Sequence, residues 1–116
     1  MKVLKIGDAL TGLERISDEI RYRSFLEEEG FSMGLIAFRA GGNTDPKQIN
    51  HRDKDVVCHV LSGRGRLRLA DQTIDLEPGI LCHVPKGTPH DFAAGQDEEL
   101  VLFYSLIKTE RQGETH

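Results

Sequence analysis

Short apolar stretches recur along this chain, each closed by a turn signal. Ile20 to Leu26 alternates apolar and polar side chains (Ile20, Tyr22) and predicts a strand, ended by the charged turn Glu27-Glu28-Glu29-Gly30. Phe31 to Ala40 predicts the next strand, and Gly41-Gly42-Asn43-Thr44-Asp45-Pro46 predicts a loop, because paired glycines and an Asp-Pro step oppose regular structure. Val56 to Leu61 predicts a strand closed by Ser62-Gly63-Arg64-Gly65. Arg66 to Ala70 alternates charged and apolar residues, which puts Leu67 and Leu69 inward. Ala70-Asp71-Gln72 turns the chain into Thr73 to Leu76, with Ile74 and Leu76 inward and Asp75 outward. Glu77-Pro78-Gly79 turns it again into Ile80 to Val84, and Thr88 to Ala93 follows.

The two ends of the chain depart from this rhythm. Asp8 to Ile20 carries Leu10, Leu13 and Ile16 at mixed spacings, which permits a helical turn or an irregular lead-in. Leu100 to Ile107 is apolar on both faces, so alternation cannot leave one side in water. That pattern predicts a cover from the N-terminal segment or from a second subunit, and a two-fold homodimer is the expected assembly. Lys108 to His116 is polar and expected to fray. The organisation that follows is a lead-in over residues 1–19, one β-barrel domain over 20–107 and a polar tail over 108–116. With no helix-length periodic segment between the strands, a parallel α/β sheet is disfavoured and an all-β sandwich or barrel is expected.

Bulk properties narrow the function. At 116 residues the chain has room for one core but not for two ordinary domains. A net charge of −4 gives no electrostatic case for nucleic acid. Met-Lys-Val-Leu-Lys-Ile-Gly-Asp lacks the apolar run of a signal peptide, and no later stretch is long enough to span a membrane as a helix. A cytoplasmic protein with its two cysteines reduced is the expectation.

The densest chemical signal runs from Gly79 to His90, Gly-Ile-Leu-Cys-His-Val-Pro-Lys-Gly-Thr-Pro-His. Its spacing, G-x5-P-x-G-x2-H, resembles the second sequence motif of the cupins, in which the final histidine points into a small β-barrel and binds a metal. Gly42 through Gly63 resembles the first cupin motif, and Cys58-His59-Val60-Leu61-Ser62-Gly63-Arg64-Gly65 is similar to its C-terminal ending. The resemblance covers roughly Arg39 to Ala94. It implies an antiparallel jelly-roll barrel with metal ligands converging inside it.

In the ligand positions the sequence departs from that family. Counting back from Gly63, the glutamate position falls on Val56 and the histidine positions on Ile49 and His51, or on Asn50 and Arg52. Counting forward from Gly42 gives Gln48, Asn50 and a carboxylate at Asp55. The candidate metal set is therefore His51, His90 and Asp55, completed by an oxygen of Asn50 or Gln48 or by water. A divalent ion (Fe, Mn, Ni or Zn) suits such nitrogen and oxygen donors, and two imidazoles plus one carboxylate are the pattern of non-haem iron oxygenases. Asp55 joins that set only if a bulge turns it inward, because Val56 inward sends its neighbour outward. The other reading is a metal-free pocket.

The tripeptide Cys-His-Val occurs twice, at 58–60 and 82–84. On neighbouring antiparallel strands this parity puts Cys58 and Cys82 inward and His59 and His83 on the outer face. Cys58 and Cys82 are pocket residues, read either as soft metal ligands or a redox pair, or as small buried hydrophobes, with the last favoured. Arg64, Arg66 and Arg68 line one face and read as a solvated surface. The resemblance supports three functions: a metal-dependent dioxygenase- or isomerase-like enzyme acting on a small molecule, a non-catalytic small-molecule-binding module, or a sensory or partner-contact domain.

Overall fold

Alternating side chains sort this chain into two sheets with a common apolar interior. The computed structural model describes residues 1–42 and 53–110. The strands are β1 (Glu14–Arg15), β2 (Ile20–Glu27), β3 (Phe31–Phe38), β4 (Lys54–Ser62), β5 (Gly65–Leu69), β6 (Thr73–Leu76), β7 (Leu81–Val84), β8 (His90–Ala94) and β9 (Leu100–Lys108). Among the described residues they form a sheet of order β1-β2-β3-β9-β4-β7 and a second of order β6-β5-β8, with every pairing antiparallel. The lead-in holds a short helix α1 (Ile6–Ala9) and one 3-10 turn over Leu10–Gly12. This is the all-β architecture that the turn spacing predicts, in the antiparallel barrel form that the resemblance implies. Among the described residues no helix is long and apolar enough to cross a membrane.

The core lies between the sheets. Val56, Cys58 and Val60 of β4 and Leu100 and Leu102 of β9 face Leu67 of β5, Leu76 of β6 and Phe92 and Ala94 of β8. Burying each large aliphatic or aromatic side chain contributes about 1.5–3 kcal/mol. Phe38 of β3 and Phe92 of β8 bridge the two sheets with ring centroids 5.7 Å apart. Gly63, at the end of β4, has φ +81°, and a Cβ there would collide with the Glu99 carbonyl. Only glycine meets both demands.

The outer face of the larger sheet is also covered at its centre. Leu35 and Ala37 of β3 and Val101 of β9 are buried without belonging to the central core. Residues 1–13 of the lead-in, with Ala9 buried in α1, lie outside both sheets, and Lys2 Nζ donates to the Phe25 carbonyl at 3.1 Å. Both faces of β9 are therefore buried at its start within a single chain, and this burial needs no second copy.

Two details differ from the sequence reading. Ile74 is 37% exposed, because among the described residues β6 is the edge of its sheet and has no neighbour beyond it. The arginine stripe is outward as expected, but Arg68 is not merely solvated. Its Nε and Nη2 donate to both oxygens of Asp91, at 2.7 and 3.0 Å, across the β5–β8 ladder. That bidentate pair holds the start of the β8 strand in place, next to His90.

Candidate functional site

The local sequence after β7 delivers one histidine to the interior. Pro85 lacks a backbone donor and cannot extend the ladder. Its carbonyl accepts the Thr88 N–H at 3.2 Å, and Gly87 sits at φ +80°, so the chain reverses tightly before β8. His90 opens β8 with the same parity as the core residues Phe92 and Ala94. It is 2% exposed, with its ring edge-on to Phe92 at 5.9 Å.

The protonation pattern of His90 follows from one contact. Nδ1 lies 2.8 Å from the Thr88 carbonyl, which can only accept, so Nδ1 carries the proton. In the neutral ring Nε2 is then the acceptor. This tautomer, fixed by a backbone carbonyl, is also the one in which a histidine ligates metal.

The other expected ligands do not gather around it. His51, Asn50 and Gln48 lie outside the described residues. Val56, at the position where the resemblance expects a glutamate, is an apolar core residue. The expectation that Asp55 joins His90 is corrected by strand parity: β4 pairs through residues 54 to 60 with no irregularity near Asp55, so Asp55 faces away from the side of Val56. Its buried carboxylate accepts from His83 Nε2 at 2.6 Å, from the Lys86 N–H at 3.1 Å and from Thr109 Oγ1 at 3.2 Å. Among the described residues no three His, Cys, Asp or Glu side chains come together as a metal would require.

Cys58 and Cys82 do meet, as direct partners across β4 and β7. Burial, and after it the neighbouring Cys82, pushes the Cys58 thiol from an ordinary 9.0 up to about 12. Burial raises Cys82 as well. Metal ligation and disulfide chemistry both use the thiolate, which this setting disfavours. Both pack as small hydrophobes, Cys58 buried in the core and Cys82 half-buried against it.

Residues 34–106 match the family described as the cupin domain. The chain belongs to the cupin family. It is 34% identical over 79 residues to an uncharacterized protein of Streptomyces coelicolor, covering 68% of this chain and 72% of the relative. It is 32% identical over 83 residues to the sucrose-binding protein of Glycine max, covering 68% of this chain but only 15% of that protein's length. The solved cupin-2 domain protein of Shewanella frigidimarina superposes with a TM-score of 0.72 at 22% identity, over 91% of this chain and 95% of that one, a likeness of fold.

For a cupin, the described interior is sparing in donors. It offers one fixed imidazole, and neither Asp55 nor Val56 supplies a carboxylate there. The described residues alone do not fit a divalent metal, which needs several ligands arranged around it. Sequence reasoning missed the Asp55–His83 pairing. The signal was present, since the repeated Cys-His-Val register sets His83 opposite Val57 and hence diagonal to Asp55.

Proposed function

We propose that this cupin is a binding module that holds a small polar molecule inside its barrel, with His90 Nε2 as the fixed hydrogen-bond acceptor. The observation that carries this reading is the His90 Nδ1 contact to the Thr88 carbonyl at 2.8 Å, which sets the tautomer before any ligand arrives. Val56 in place of a carboxylate favours binding over metal-dependent turnover. A hydroxyl donor is the natural complement to a neutral imidazole nitrogen. The name of the soybean relative, a sucrose-binding protein, makes carbohydrate the first class to try. His51, Asn50 and Gln48 are the residues we assign to complete the polar lining.

The competing reading is a divalent metal held by His51 and His90, and one experiment separates the two. Untagged protein, purified without chelator, is assayed for metal content and then titrated with sucrose and glucose by NMR. We expect far less than one equivalent of metal and sugar-dependent shifts of the His90 ring, both signals of binding lost in His90→Ala with the fold retained. Near-stoichiometric metal that disappears in His90→Ala overturns the binding-module reading.

A further inference from the structure

A cavity opens where the two sheets part. Among the described residues β6 and β7 are both edge strands: β6 pairs only with β5 and β7 only with β4. Between them lies a cavity of about 260 Å³, walled by Leu67, Leu69, Ile74, Ile80, Cys82 and Val84. Among the described residues His83 and Thr88 supply the polar part of its lining, and His90 is not in that lining. Large apolar side chains stand uncovered at its mouth, with Ile74 37% and Leu81 71% exposed.

This space is built for apolar matter. Water needs two to four polar partners to be held, and aliphatic walls offer it few. A sugar would leave most of its hydroxyls unpaired there, and a charged group would lose its hydration without compensation. An apolar cavity of roughly 150 Å³ accepts benzene, so this one has room for on the order of ten non-hydrogen atoms. Entry requires no ladder hydrogen bond to break, since the facing edges of β6 and β7 are not paired with each other.

We propose that the cavity between β6 and β7 is a ligand site for a small, uncharged, apolar molecule, of the size of a fused aromatic ring. The proposal does not rest on the role given to His90, although Leu69 of the cavity wall is the cross-strand partner of His90. Indole is the probe, and Cys82 is the reporter, because it lines the cavity while Cys58 is buried. N-ethylmaleimide labelling of the native protein, followed by intact mass, reads the accessibility of Cys82. Indole at about four times its dissociation constant slows this labelling about five-fold by mass action and raises Tm. Benzoate, which carries a charge, does neither.

Two variants keep the test decisive. Ile74→Glu places a carboxylate at the mouth of the cavity, on an exposed edge position, and abolishes the protection by indole while the far-UV spectrum stays unchanged. His90→Ala leaves the protection intact, which separates this site from the sugar-binding reading. The proposal is overturned if indole changes neither the labelling rate nor Tm. Equal protection in Ile74→Glu, or loss of protection in His90→Ala, overturns it as well.

Discussion

The carboxylate of Asp55, 4% exposed on the outer face of β4, holds His83 Nε2 of β7 at 2.6 Å. The same carboxylate also takes the Lys86 N–H of the turn that follows β7 and the Thr109 hydroxyl just past β9. One acidic side chain thereby clasps three separate stretches of chain. It anchors the turn that presents His90, although it does not face His90 itself.

Removing that clasp is expected to be costly. Asp55→Ala strands the Lys86 N–H and the Thr109 hydroxyl, and each hydrogen bond to a charged acceptor contributes about 1.5–3 kcal/mol. A loss of about 3 kcal/mol is expected by urea denaturation. His83→Ala should cost under about 1 kcal/mol, since that ring is half-exposed and its pairing is screened by water. Equal losses in the two variants would show that the His83 contact, rather than the backbone and hydroxyl contacts, carries the stability.

Alkaline pH should unfold the protein through its thiols. The unfolded Cys58 thiol ionises near 9.0, whereas burial and then Cys82 hold the native thiol near 12. Between those values the unfolded chain binds fewer protons than the native one, so stability falls as pH rises. The contribution is complete below pH 9 and declines through the window up to about 12, by at most about 1.4 kcal/mol per pH unit. Tyr104 acts with the same sign, its phenol raised first by burial and then by Glu27 and Tyr22. Stability curves measured from pH 8 to 11 should therefore slope downward, and less steeply in Cys58→Ala.

Backbone conformation at the turn should matter for binding more than for folding. Gly87 has φ +80° with open space around its Cβ position, so Gly87→Ala meets strain but no clash. The expected cost is about 1–2 kcal/mol. Ligand affinity at His90 should drop as well, because the turn sets the Thr88 carbonyl that fixes its tautomer. Gly63→Ala, which adds a collision with the Glu99 carbonyl, should destabilise more strongly. Comparison of Tm and sugar titrations for the two variants checks both statements.

Much of this architecture was legible in the residues. Strand alternation in Thr73–Leu76, the unbroken apolar run from Leu100 to Ile107, and the Pro85, Gly87 and His90 spacing are local properties, and side chains two apart must share a face. The inward direction of Cys58 and Cys82 followed from the same rule and from antiparallel pairing.

What alternation cannot say is what lies over a face. Asp55 found His83 and Thr109 because β7 and β9 flank β4, a neighbourhood set by the sheet order β9-β4-β7. Ile74 stayed partly exposed because β6 ended its sheet, and Val101 was buried on a face where water was the alternative. The tautomer of His90 likewise depended on a carbonyl placed by the folded turn. A sequence carries its periodicity with it, so it decides which side each residue takes. Partners come from elements distant along the chain, and only the packing of both sheets decides them.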